Sequence, residues 1–382
     1  MVSALGCGKA ASLEALRAGR SGIGPIRQLQ TGLSGFPAGE VPCSQQELAA
    51  LSGAPDTWPR TTLLSILALQ EALAEAGLLS SGESAGILVG GTTVGGMDKT
   101  ELQFPQYSRN HGCGATTDLA ALYLGCFEDA TTLSTACSSA ANAMIFGANL
   151  LRSGQYKRVV VGGSESLSNY HLNGFHSLMI LDAEPCRPFD ASRAGLNLGE
   201  GAAYLVLETE ASARERGARP LARLSGFGNA CDAFHQTASS ENGEGAFLAM
   251  RQALQRAGLE PSQIDYVNAH GTGTPNNDAS ESAALRRIFG TSLPPVSSTK
   301  SFTGHTTSAS GSIEAVFCLL ALQHGFIPPQ LGWSTPDPAC ILPYTSAPKE
   351  GPAERSETAL HHVLSNAFGF GGNDSSLIFS AV

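Results

Sequence analysis

The sequence predicts an α/β protein with mainly parallel sheets, on three observations. Short apolar, β-branched runs alternate with longer stretches of helical periodicity. Several of those runs end in glycine, as buried strands do where the chain turns away. Glycine is also abundant, at 44 of 382 residues against a usual level of roughly 7%, and shows no collagen-like period. The excess reads as tight turns.

Taken in order, "SAGILVGG" (84–91) is a buried strand, and "DATTLSTAC" (129–137) is a second that rises into Cys137. "SSAANAMIFGANLLRSG" (138–154) follows as a helix ending near Gly154. "YKRVVVGGSES" (156–166) and "GAAYLVLETE" (201–210) are further buried strands. The more charged "ASARERGARPLARLSGFGNA" (211–230) reads as a crossover between halves. Beyond it come a helix over 243–259, a strand over 264–271, a helix over 281–289, a strand over 294–301 and a helix over 310–325. The final "ALHHVLSNAFGFGGNDSSLIFS" (359–380) reads as two strands joined by a glycine loop. Two halves, 1–208 and 209–382, have similar length and element order, so a duplicated fold is suggested, although no similarity of sequence between them is visible. The absence of a low-complexity linker favours halves packed as one unit.

Composition narrows the function. With 42% hydrophobic and 15% charged residues the chain can bury one large core or two domain-sized ones. A net charge of −10 argues against a nucleic-acid or anionic-membrane partner. Nine cysteines, scattered and never in a C-x-x-C pair, fit neither a zinc site nor a disulfide framework, so no metal and a reducing compartment are expected. The N-terminus lacks a basic stretch followed by an apolar core, and no apolar run is long enough to span a bilayer. A soluble, cytoplasmic protein is the expectation.

Of the glycine-rich patterns, "VGGTTVGGMD" (89–98) is not a G-x-G-x-x-G fingerprint, and "GGSES" (162–166) lacks the second glycine of a G-x-S-x-G elbow. Both read as turns. The stronger signal is a trio at strand ends: Cys137, His270 in "YVNAHGTGTP", and His305 after "SSTKSFTG". Ligands of open α/β sheets bind at the carboxyl ends of strands, so these ends can converge. Cys137 begins a helix, whose dipole and free N–H groups favour a thiolate. Small neighbours (Ser134, Ala136, Ser138, Ser139, Ala140) leave room for a ligand at the sulfur. Two histidines facing a thiol can donate to developing negative charge or act as bases. A buried structural cysteine and a Cys/His hydrolase remain open alternatives on these residues alone.

"TACSSA", "YVNAHGTGTP", "SSTKSFTGH" and "NAFGFGG" together resemble the β-ketoacyl-[acyl-carrier-protein] synthases of the elongating synthase II type. "CRPFDASRAGLNLGEGAAYLVLE" (186–208), "DAFHQTASSENGEGA" (232–246) and "IPPQLGWSTPDPAC" (327–340) agree in order and spacing. The resemblance implies a thiolase-like fold with duplicated halves in a layered αβαβα arrangement around two five-stranded mixed sheets. It implies decarboxylative condensation of an acyl thioester on Cys137 with malonyl carrier protein, assisted by His270 and His305. Lys300 and Glu314 would support His305 from behind. The N–H groups of Cys137 and Phe370 would form an oxyanion hole, with Phe370 and Phe368 in the gating loop. Thr272 and Thr274 would hold the pantetheine arm. Val94, Phe175 and a partner chain's Tyr107 would line the acyl pocket. No cofactor is implied beyond the phosphopantetheine of acyl carrier protein, the expected partner, together with a homodimer or a heterodimer with a related subunit.

Departures from that pattern bear on the substrate. The first strand is clipped, the loop over 178–186 is short, and Asn373–Asp374 stand where a threonine–asparagine pair is common. Carrier docking in the family uses basic residues, yet "APDTWPRTTLLSILALQ" (54–70) offers only Arg60. Arg109, Arg152 or Lys99 would have to restore the patch. A specialised pathway with a dedicated carrier is expected. The competing reading is a non-catalytic chain-length factor shaping an active partner.

Overall fold

The computed structural model describes residues 1–79, 81–346 and 359–382. Its first half runs β1 (Val2–Ser3), β2 (Gly6–Cys7), α1 (Lys9–Arg17), α2 (Gln45–Ser52), α3 (Arg60–Glu75), β3 (Ile87–Gly91), α4 (Met97–Gln103), α5 (Ala115–Leu124), β4 (Asp129–Leu133), α6 (Ser139–Arg152), β5 (Arg158–Glu165), α7 (Asn169–Ser177) and β6 (Gly201–Glu208). The second half then begins. It runs α8 (Glu210–Glu215), β7 (Arg223–Cys231), α9 (Glu244–Ala257), β8 (Tyr266–Asn268), α10 (Pro275–Phe289), β9 (Val296–Ser297), α11 (Lys300–Thr303), α12 (Ser310–His324), β10 (His362–Gly369) and β11 (Asn373–Ser380).

One sheet has the order β2-β1-β6-β5-β3-β4 and the other β7-β11-β10-β8-β9. With β2 set aside, the two orders are the same. In each half the first strand lies antiparallel to the fifth, the fifth antiparallel to the fourth, and the second runs parallel between the fourth and third. Duplication invisible in the residues is therefore plain in the pairing. The expected pair of five-stranded sheets is corrected at one edge only. The β1–β2 hairpin, pairing Val2 with Cys7, adds a sixth strand.

Each half sends one helix between the sheets after its third strand, α6 in the first and α12 in the second. The central core joins Val89 and Val161 of one sheet, Val363 and Leu377 of the other, and Ala141, Ala143, Ala315 and Cys318 of these helices. Such crowding explains the small residues of α6. A Cβ at Gly147 would stand 2.4 Å from Val161 Cγ1, and one at Gly311 of α12 would stand 2.9 Å from the Ala141 nitrogen. Outside, Leu63, Leu64 and Leu69 of α3 cover Leu88 and Val160. On the far face Met250 of α9 and Leu285 of α10 cover Val267, Leu364 and Ile378. The layers are thus α-β-α-β-α.

Several expected elements differ in extent: the strand expected over 129–137 ends at Leu133, and the helix expected over 281–289 begins at Pro275. The 211–230 crossover contains a helix and a nine-residue strand, β7, whose glycines 226 and 228 let α9 approach the backbone. The strand expected over 294–301 is only Val296–Ser297, because Lys300 already opens the turn α11. No helix among the described residues is long and apolar enough to cross a membrane.

Candidate active site

Cys137 closes the turn from β4 into α6. Ala136, immediately before it, sits at φ 52°, a left-handed conformation that strains a residue with a Cβ. Two serines hold the turn. Ser138 Oγ donates to the Thr135 carbonyl (2.7 Å), Ser139 Oγ donates to the Ala136 carbonyl (2.6 Å), and the Thr135 N–H donates back to Ser139 Oγ (2.9 Å). Ser138, Ser139 and Ala140 are fully buried, so these small residues serve the turn and the helix packing.

The backbone N–H groups of Phe370 and of Cys137 itself favour the thiolate of Cys137. Burial pushes the thiol up to about 11, against the opposing pull of Lys300 and those two N–H groups. The expected lowering at a helix N-terminus is therefore outweighed by desolvation. At neutral pH Cys137 is a protonated thiol.

His270 follows β8 in a loop clamped from below. Glu281, buried on α10, accepts from the N–H groups of His270 (2.9 Å) and Gly271 (2.8 Å) and from Asn366 Nδ2 (3.0 Å). A Cβ on Gly271 would meet Ser298 at 2.5 Å, which is why the loop needs glycine there. Thr272 and Thr274 place their hydroxyls 2.9 Å apart. His305 does not end a strand. It follows α11, its N–H donating to the Asn197 carbonyl (2.7 Å) and its carbonyl accepting from the Gly199 N–H (2.9 Å). The two imidazoles meet edge to face, with centroids 5.3 Å apart.

Lys300 and Glu314 are paired at 2.5 Å and almost fully buried. Their expected support of His305 is corrected by geometry. Lys300 Nζ lies 3.2 Å from Nδ1 of His270, and the Nδ1 of His305 has no hydrogen-bond partner among the described residues. An ammonium donating to Nδ1 leaves the proton of a neutral His270 on Nε2. Burial, then Lys300, holds both imidazoles well below their ordinary pKa; His305 adds to this at His270, and His171 at His305. Both rings are neutral at physiological pH.

Cys137, His270, His305, Phe368 and Phe370 line one cavity of about 240 Å³, joined by Thr272, Thr274, Phe175, Ile180 and Leu196. Phe370 stacks on Phe175 (6.0 Å between centroids, 22° between planes), and Phe368 tilts against His270 at 5.6 Å. Val94 and Tyr107 are not in this lining. The Val94 N–H approaches Glu165 at 3.4 Å. Tyr107, expected from a partner chain, is 68% exposed on this one, and Ile180 and Leu196 contribute to the apolar wall. No lysine or arginine among the described residues lines the cavity. Arg60, the expected docking cation, is buried in an ion pair with Glu200 at 2.6 Å. A larger hollow of about 570 Å³ opens at the other ends of β3 and β5, beside Gly86 and Arg158, but it is walled by charged pairs and holds no nucleophile.

Sequence reasoning missed the carboxylates that assemble the site. Glu165, at the end of β5, accepts from Thr92 Oγ1 (2.8 Å), the Thr93 N–H (2.7 Å) and Ser308 Oγ (2.6 Å), binding the two halves together. A charge closing the apolar run "VVVGGSE" was the available signal. Asn373, which the sequence marks only as a departure from the family pattern, also has a structural task. Its Oδ1 accepts from Ser138, Asn142 and Asn229, tying the glycine loop to the nucleophile turn. Among the described residues, no cluster of His, Cys, Asp and Glu is fit to hold a metal ion.

A thiol from one half that meets imidazoles from the other, on a duplicated frame, defines the thiolase-like class. Within it the chain belongs to the beta-ketoacyl synthase family, whose N-terminal domain matches residues 1–213 and whose C-terminal domain matches residues 221–334. Nodulation protein E of Rhizobium meliloti (strain 1021) is 33% identical, over 96% of this chain and 94% of that protein. The 3-oxoacyl-[acyl-carrier-protein] synthase 2 of Synechocystis is 32% identical, over 96% and 92%. Among solved structures, the ishigamide ketosynthase/chain length factor superposes with a TM-score of 0.90 at 34% identity, covering 100% of this chain and 97% of that one.

Proposed function

We propose that this chain is a catalytic β-ketoacyl-[acyl-carrier-protein] synthase that elongates a carrier-bound acyl chain in a specialised fatty-acid or polyketide-type pathway. One observation carries the reading: Cys137, His270 and His305 share one cavity. In the first half-reaction Cys137 sulfur attacks the acyl thioester, its proton leaves to a neutral imidazole, and the carrier thiol departs with a proton. The N–H groups of Cys137 and Phe370 hold the oxyanion. In the second, malonyl carrier protein loses CO₂, and its enolate is stabilised by His270 Nε2–H and by His305. The carbanion then attacks the acyl-enzyme and the Cys137 sulfur leaves. Neutral rings suit this role, since each brings an N–H donor and no charge that would trap the malonyl carboxylate.

Thr272 and Thr274 supply hydroxyls for the pantetheine amides, and Phe370, stacked on Phe175, gates the sulfur. The partner is acyl carrier protein, and the lack of cations in the cavity lining weakens steering of an acidic carrier, which supports a dedicated one. A second reading, a chain-length factor, is favoured by the likeness to the ishigamide ketosynthase/chain length factor. The two separate in one assay. The purified chain, alone and with any related subunit encoded beside it, is given malonyl carrier protein and a panel of acyl primers. CO₂ release that depends on Cys137, His270 and His305 of this chain supports catalysis. CO₂ release indifferent to all three assigns the shaping role.

A further inference from the structure

A second pair of thiols stands far from the cavity, at the opposite edge of the six-stranded sheet from β4. Cys7, exposed at the end of β2, and Cys43, half-buried, bring their sulfurs to 3.6 Å. Both backbones are anchored. After Cys7, the Gly8 N–H donates to the Met1 carbonyl (2.8 Å) and the Lys9 N–H to Glu71 Oε1 (2.9 Å), while the Met1 ammonium pairs with Glu71. The Cys43 N–H donates to the Val41 carbonyl (2.7 Å), and its carbonyl accepts from Arg60 Nη2 (2.9 Å). A disulfide needs the sulfurs about 2.05 Å apart. At 3.6 Å the two sulfurs are already in contact. No other two cysteine sulfurs among the described residues make such a contact.

We propose that Cys7 and Cys43 form a redox modification site, oxidised to a reversible intramolecular disulfide by a low-molecular-weight disulfide. One cysteine thiolate attacks the S–S bond of the oxidant and releases one small thiol, leaving a mixed disulfide. The other cysteine attacks that mixed disulfide and releases the second small thiol. The two cysteine protons end on the released thiols, the pair gives up two electrons, and the oxidant takes them. Burial and the neighbouring Cys43 thiol push the Cys7 thiol up to about 12, so exchange is slow and is followed over hours. In a reducing compartment such a bond is transient and senses redox state. Its target is well placed. Cys43 holds Arg60, Arg60 grips Glu200, and Glu200 adjoins Gly199, whose N–H bonds the His305 carbonyl.

The proposal rests on thiol geometry alone, and its test reads covalent structure without reference to activity. The full chain is incubated with oxidised glutathione, denatured, alkylated and digested for mass spectrometry. The expected result is a Cys7–Cys43 linked peptide and two fewer alkylatable thiols than the nine of the reduced chain, both reversed by dithiothreitol. Cys7→Ser and Cys43→Ser chains are expected to give no linked peptide, and at most a glutathione adduct on the remaining cysteine of the pair. A wild-type chain without the linked peptide overturns the proposal. So does a Cys7→Ser chain that still loses two thiols.

Discussion

Cys137 and His305 stand at equivalent corners, each between the third strand of its half and the helix that runs between the sheets. The corners are built differently. In the first half β4 passes into α6 through one tight turn, strained at Ala136 and tied by serine hydroxyls. In the second, β9 reaches α12 through α11, Gly304 at φ 69° and a short 3₁₀ turn over Thr307–Ala309. The abrupt corner fixes the Cys137 sulfur. The longer one threads Lys300 behind His270 and sets His305 against Asn197 and Gly199. Duplication thus provides two loops aimed at one cavity, and the added turn lets one of them carry Lys300 and His305 while the other carries the Cys137 thiol.

Removing the donors is the largest expected break in that division of labour. His270→Ala and His305→Ala should each lower CO₂ release from malonyl carrier protein by about 10²–10³, the usual effect of one lost oxyanion donor. Acylation of Cys137, followed by intact mass, should still be detectable in both. Unchanged CO₂ release in either variant removes that histidine from the role.

Next comes the buried pair peculiar to the longer corner. Lys300→Ala leaves Glu314 uncompensated and should destabilise the chain by about 3–5 kcal/mol in urea unfolding. Lys300→Met with Glu314→Gln should recover much of that loss. Recovery of stability without recovery of CO₂ release would show that the pair orients His270 as well as filling space. Equal stability of Lys300→Ala and wild type contradicts the buried pairing.

A smaller effect concerns Asp374, beside the glycine loop that joins the corners. Burial, with Asp232 and Glu281 nearby, raises its carboxyl to about 8, against an ordinary value near 3.8. The group is protonated in the folded chain and ionised in the unfolded chain between those values. Its contribution to stability is complete at low pH and is lost as pH rises toward 8. Asp374→Asn should therefore reduce the fall in Tm between pH 5 and pH 8 by a few degrees. Glu281, raised to about 7 by burial, keeps part of the slope. An identical slope in the variant refutes the assignment.

Much of this was legible in the residues because strand ends and turn chemistry are local. The apolar runs located β3, β5 and β6, and "HGTGTP" announced a rigid loop. What stayed hidden is relational. The packing role of Ser138 and Ala140 is one of these relations, because nothing in a sequence shows α12 pressed against α6. Cys137 looked like a thiolate because the helix dipole is local, whereas the burial that outweighs it is tertiary. Lys300 lies nearer His305 in the chain, but α11 turns its ammonium to His270. Glu165 and Asn373 also reach across the join between halves, to Ser308 and to Ser138 and Asn142, where spacing along the chain carries no signal.

The central claim is that a thiol from one half and neutral imidazoles from two loops of the other form a single condensing site, with decarboxylation separable from acylation. Cys137→Gln tests it directly, because a neutral amide stands in for the acylated sulfur. Given malonyl carrier protein and no primer, this variant is predicted to release CO₂ while forming no condensation product, and Cys137→Gln combined with His305→Ala is predicted to release none. Condensation by the Cys137→Gln chain, or equal CO₂ release with and without His305, would contradict the account.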